Sequence, residues 1–137
     1  MKRVGLVSVL LVALVACVPP EPVSTHVSLV EASIPDLQAL MEGGELTSRE
    51  LVSAYLVRIA LYEERLNAAV AINENALAEA DALDAERAAG NVRGPLHGIP
   101  VALKDNIHTT HLPTTGGSLA FEGYVPPYEA TLTANLR

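Results

Sequence analysis

The sequence predicts an α/β fold. Three observations carry that prediction: helix-start signals ahead of helically spaced apolar residues, short apolar runs of strand length between the helical stretches, and Gly or Pro at the junctions. The chain has 137 residues, enough for one ordinary domain. Half of them are hydrophobic, 18% are charged and 4% aromatic, a globular composition rather than a disordered one. Sixteen acids outweigh nine Lys and Arg, for a formal charge of -7, and no basic patch is visible. That argues against a nucleic-acid partner.

The first residues, MKRVGLVSVLLVALVAC, place Lys2 and Arg3 ahead of an apolar run from Val4 to Ala16. This is the charged head and short apolar core of a secretory signal. A membrane span needs ~20 apolar residues, and the run is shorter. Its end, Leu14-Val15-Ala16-Cys17, resembles the bacterial lipobox, in which the cysteine becomes the lipid-bearing N-terminus. Cys17 is the one cysteine of the chain, so the fold has no internal disulfide. Residues 1–16 thus read as a signal peptide and Cys17 as the lipid attachment site. The expected location is the bacterial cell envelope, with the lipid holding the protein to a membrane. Val18 to Ser28, VPPEPVSTHVS, is rich in Pro and small polar residues, and residues 17–32 read as an extended tether.

Ser33 is placed to cap a helix beginning IPDLQALMEGG, with Pro35 in its first turn and Gly43 and Gly44 at its end. Thr47-Ser48-Arg49-Glu50 is a capping box. Leu51, Tyr55, Ile59, Tyr62 and Leu66 follow at helical spacing, which predicts about four turns burying that stripe. Asn67 to Asn73, NAAVAIN, is short and apolar and predicts a strand. Glu74 to Ala89 predicts another helix, with Ala76, Leu77, Ala80 and Leu83 on one side and Gly90 as its stop. A further helix is expected near Tyr128.

Ile99 to Lys104 predicts a second strand, and it ends on a lysine. Alternation puts Ile99, Val101, Leu103 and Asp105 on one face and Pro100, Ala102, Lys104 and Asn106 on the other. The second face is built of small residues, and Asp105 points away from Lys104. A lysine enclosed there without a carboxylate partner would have its pKa pushed down and could act as a base. The alternative is a strand-end lysine reaching solvent, and spacing alone leaves both open.

GPLHGIPVALKDNI, followed by LPTTGGS, resembles the N-terminal part of the amidase signature family. The likeness extends through the IPDLQALMEGGELTSRELVSAYLVRI helices, NAAVAIN and EADALDAERAAG. It implies that residues 33–137 are the N-terminal portion of an amidase domain, a mixed sheet core flanked by helices. The resemblance implies that Lys104 is the general base of a Ser–cis-Ser–Lys triad. The lysine would take a proton through a bridging serine, and a second serine would attack the amide carbonyl of a small-molecule substrate. Backbone N–H groups would hold the oxyanion, and no cofactor or metal is needed. The implied activity is hydrolysis of non-peptide C–N bonds. In the family both serines lie downstream of this region and complete members are several times longer. The chain is therefore expected to be a fragment, inactive alone, with apolar faces uncovered.

Ser118 in TTGGS reads as a turn residue with no catalytic role. His108 and His111 form H-x-x-H, but two ligands without a third do not make a metal site, and both read as loop residues. His97 reads as structural. Two other functions fit the same family likeness: a non-catalytic envelope lipoprotein, and the transamidating subunit that forms glutaminyl-tRNA. The export signal argues against the second.

Overall fold

The computed structural model describes residue 28 and residues 30–137. The expected signal peptide, Cys17 and most of the tether lie outside the described residues.

Helix α1 spans Ile34–Glu42 and α2 spans Ser48–Leu66. Both start on capping boxes. Ser33 accepts from the Asp36 N–H while the Asp36 carboxylate receives the Ser33 N–H, and Thr47 and Glu50 make the same exchange. Helix α1 stops as its two glycines predict: the Glu45 N–H reaches back to the Leu40 carbonyl and the Gly44 N–H to the Met41 carbonyl, with Gly44 at φ +73°. Helix α3, Ala76–Ala88, closes the same way through Gly90 at φ +81°. There the Asn91 N–H meets the Glu86 carbonyl and the Gly90 N–H the Arg87 carbonyl. It begins two residues later than the sequence suggests, because the Asn73 side chain accepts from the Asn75 N–H and holds a turn ahead of the helix. A 3₁₀ turn, Leu119–Phe121, and a short α4, Thr131–Leu136, complete the elements among the described residues.

The core is small and lies where α1 meets the head of α2. Leu37, Met41, Leu46 and Leu51 are buried together, with Ala32, Leu40, Tyr55 and Ile99 packed against them. Each such aliphatic side chain contributes roughly 1.5–3 kcal/mol of hydrophobic stabilisation. The stripe along α2 is buried only at its start. Leu51 is inaccessible, whereas Tyr62 is exposed and Leu66 is 68% exposed. Val57, Leu61, Val70, Leu119 and Phe121 are exposed as well.

The two expected strands, Asn67–Asn73 and Ile99–Lys104, do not form among the described residues. A strand needs a neighbour for its N–H and C=O groups. The backbone of Val101, Ala102 and Leu103 makes no hydrogen bond to another segment here, and the one bond from Ile99 closes a local turn on Leu96. The α/β expectation is therefore met only by its helices in this part of the chain.

Gly98 marks the tightest approach between segments. Its φ is +79°, and a Cβ built on it would lie 2.1 Å from the Ser48 Oγ and 3.5 Å from the Met41 sulfur. Ser48 is fully buried and its hydroxyl has no hydrogen-bond partner among the described residues. Gly98→Ala should therefore cost at least about 2 kcal/mol, from a left-handed backbone penalty of ~1–2 kcal/mol and overpacking of ~1–3 kcal/mol. Ser48→Ala should be near neutral, because its hydroxyl bonds to nothing. Combined with Gly98→Ala it should recover part of the overpacking loss and none of the backbone penalty. Urea unfolding of the two single variants and the double variant measures each part.

Candidate active site

The segment Gly94 to Ile107 enters the core, turns, and leaves it again past Ile99. Its entry is held by polar side chains from α1 and α3. Gln38 donates its amide to the carbonyls of Pro95 and His97, at 3.0 and 2.9 Å. Arg87 donates to the same His97 carbonyl at 3.1 Å and to the Gln38 side-chain oxygen at 2.8 Å. His97 is buried, with its Nε2 2.9 Å from the Leu83 carbonyl and its Nδ1 facing the Arg93 N–H. The Nε2 therefore carries the proton and the ring spans the turn and α3.

Past Ile99 the chain leaves the core. Pro100, Val101 and Ala102 are exposed, Leu103 is half-buried, and Lys104 is exposed. Of the two placements open at the sequence level, the described residues show the solvent-reaching one. Lys104 forms no ion pair among them, Asp105 included.

Asp105 is occupied elsewhere. Its carboxylate accepts from the Thr115 N–H at 2.9 Å, the Gly117 N–H at 3.2 Å and the Thr115 hydroxyl. Its own carbonyl accepts from the Gly116 N–H at 2.8 Å. Gly116 and Gly117 sit at φ +59° and +77°, the left-handed region that lets the Thr115 and Gly117 N–H groups reach the carboxylate while the Gly116 N–H between them reaches the carbonyl of the same residue. The Thr115 hydroxyl and N–H hold the Asp105 carboxyl below the ordinary aspartate range, with smaller help from Gly117 and from the charge of Lys104. TTGGS is thus a cradle for a carboxylate ten residues away, where the sequence alone suggested a turn.

The remaining polar candidates face separate partners. Ser118 caps the 3₁₀ turn through the Ala120 N–H. The His108 ring meets Tyr128 edge-on, 5.2 Å between centroids, and its carbonyl receives the Ala130 N–H and the Thr133 hydroxyl. The two nitrogens of His111 lie 3.0 and 3.2 Å from one Arg137 nitrogen. His108 and His111 do not converge on a common point. A hollow of about 630 Å³ beside α2, lined by Arg49, Ser53, Val57 and Arg58 among others, includes neither Lys104 nor Asp105.

Gln38, Arg87, Thr115 and Asp84, whose carboxylate receives the Ser48 and Arg49 N–H groups, were not legible as positioning residues. Each acts on a partner ten or more residues away, and the TTGGS pattern around Thr115 marks a turn without naming its partner. The one available signal was the Gly116–Gly117 pair, since paired glycines mark a backbone that must turn its N–H groups.

A model of the amidase family matches residues 50–137. A glutamyl-tRNA(Gln) amidotransferase subunit of Streptomyces avermitilis is 41% identical over 114 residues, 82% of this chain and 23% of that protein. The corresponding subunit of Renibacterium salmoninarum is 44% identical over 110 residues, 80% of this chain and 21% of that protein. Among solved structures, the native peptide amidase of Stenotrophomonas maltophilia superposes with a TM-score of 0.76 at 48% identity, over 78% of this chain and 22% of that one. The chain thus spans between a fifth and a quarter of the length of the relatives it matches.

A carboxylate held below its unfolded pKa contributes stability that is present above the unfolded value and lost as pH falls through the folded one. The cradle should therefore persist at neutral pH and open below the ordinary aspartate pKa of about 3.9. Amide proton shifts of Thr115 and Gly117, followed from pH 7 to pH 2, should move together in that acid window and not above it.

Proposed function

The chain belongs to the amidase family, and on that premise we propose that it supplies the Lys104 general base of an enzyme that hydrolyses a carboxamide C–N bond. The observation that supports this most is the place of Lys104. It lies next to the end of the Gly94–Asp105 segment that two helices anchor, inside residues 50–137 that match the amidase family. Its neighbouring carboxylate is engaged by Thr115 and Gly117 and forms no ion pair with the amine among the described residues.

In the proposed chemistry the neutral amine of Lys104 accepts a proton relayed from a serine. That serine oxygen bonds to the amide carbon, the C–N bond breaks, and the amine or ammonia departs with the proton. Water then attacks the acyl-enzyme ester and releases the acid. No serine of this chain is assigned to the relay. Ser118, the nearest candidate by sequence, spends its oxygen on a turn. In the full reading the catalytic sheet of the α/β fold and both serines belong to the parts of the relatives that this chain does not match.

A second reading, transamidation on glutamyl-tRNA, is favoured by the names of the relatives from Streptomyces and Renibacterium. The N-terminal pattern of Lys2, Arg3, Val4–Ala16 and Cys17 favours export instead. We therefore prefer an envelope lipoprotein with residues 1–16 removed and Cys17 lipidated.

Grafting residues 33–137 into the peptide amidase in place of its matching stretch should yield an enzyme active on a carboxamide. Lys104→Met in that chimera should lower kcat/KM by roughly 10²–10⁴-fold, the usual worth of a positioned base, with an unchanged melting temperature. A chimera that keeps its full rate without Lys104 rejects the assignment. Labelled palmitate should enter the expressed full chain and be lost in Cys17→Ala. Equal labelling of the two proteins would reject the anchor.

A further inference from the structure

Asp105 has more hydrogen bonds than a surface carboxylate at a chain turn needs. Three donors converge on its side chain and a fourth on its carbonyl, all from the three consecutive residues Thr115, Gly116 and Gly117. Residue 105 is therefore fixed on both its main chain and its side chain. Lys104 is bonded directly to it, and the Lys104 carbonyl is itself closed by the Ile107 N–H at 2.9 Å. By contrast, the three residues before Leu103 are exposed and make no backbone bond to another segment among the described residues. Past Ile99, the restraint on the Lys104 backbone comes from its C-terminal side.

We propose that Asp105 is a positioning residue for Lys104. Its carboxylate, received by the Thr115–Gly117 cradle, sets the backbone from which the lysine projects. The inference rests on reading Lys104 as the base, and it adds the device that aims it. The direction of the carboxylate matters as much as its bonds. By facing the cradle, Asp105 is kept from pairing with Lys104, and a carboxylate paired to the amine would favour the charged form that cannot accept a proton. The two glycines serve the same end, since side chains are strained at φ +59° and +77°, the backbone that turns the Gly116 N–H to the Asp105 carbonyl and the Gly117 N–H to its carboxylate. Thr115 adds the third donor, through a hydroxyl that valine lacks.

The test uses the full 137-residue chain, labelled with ¹⁵N and held in a mild detergent. Backbone order parameters are measured at Lys104, Asp105 and Asn106 and, as an internal control, along α1, α2 and α3. In the parent chain the three residues should show the ~0.85 of a rigid backbone, and in Asp105→Asn they should fall below ~0.6, the range of a flexible one. Thr115→Val, which removes only the hydroxyl donor, should lower them in the same place, while Thr115→Ser should keep the parent values. The helices should be unaffected in all three. A role confined to the loop would move Thr115 to Gly117 and leave Lys104 rigid, and that result overturns the proposal. So would equal loss of order along the helices in both Asp105→Asn and Thr115→Val, or a Thr115→Ser chain that behaves like Thr115→Val. None of these measurements passes through amide hydrolysis, so failure of the clasp and failure of Lys104 as a base are separate outcomes.

Discussion

The head of α2 is the point on which the other segments depend. A helix starts with unpaired N–H donors, and burying that end without acceptors is costly. Thr47 takes the Glu50 N–H locally, but the Ser48 and Arg49 N–H groups go to the two oxygens of Asp84, at 2.7 and 3.0 Å, from the middle of α3. A carboxylate at this position also meets the positive end of the helix dipole, worth ~0.3–1 kcal/mol when exposed and up to ~2 kcal/mol when partly buried. Asp84 therefore ties two helices together through backbone groups that would otherwise lack partners. Arg49 adds an ion pair to Asp81 one turn earlier on α3, but both side chains are about half exposed, so its contribution is small.

The same corner receives the Gly94–Ile107 segment. Ser48 begins α2, and Gly98 lies against it so closely that no side chain would fit. On the other side Met41 lines the contact, and Gln38 and Arg87 take the carbonyls of the turn. Arg87 is an expensive anchor. Its Nε and Nη1 are buried without partners among the described residues, so the gain from its three contacts is offset by donors left unsatisfied there. What results is a short piece of chain held firmly at Gly94–Ile99 and again at Asp105, with Lys104 just before the second hold. Between the holds the backbone from Pro100 to Leu103 is unpaired among the described residues, which is where a neighbouring strand would have to come.

Local signals in the sequence were read well where they act over three or four residues. Ser33, Thr47 and Glu50 cap as their spacing demands, and Gly43–Gly44 and Gly90 end their helices, because both devices use only neighbouring backbone groups. The apolar stripe of α2 misled beyond Ile59, since periodicity marks a face that can be buried and says nothing about whether a partner is present. The two strand assignments failed for a related reason. NAAVAIN and IPVAL have strand composition, but a strand exists only as part of a ladder, and no ladder partner is among the described residues. His97 was legible as structural, although its acceptor, the Leu83 carbonyl, was not.

GPLHGIPVALKDNI by itself determined that a lysine stands beside an aspartate at the end of an apolar run, and that two glycines follow within the next dozen residues. Those are properties of composition and order, and they survive any arrangement in space. Which way the aspartate faces was decided only by tertiary structure, because Thr115 and Gly117 reach it from ten and twelve residues away. The same holds for Asp84 at the head of α2, thirty-five and thirty-six residues from the N–H groups it receives. Long-range acceptors of this kind leave no periodic trace in a sequence, since a hydrogen bond across the fold constrains two positions without constraining those between them.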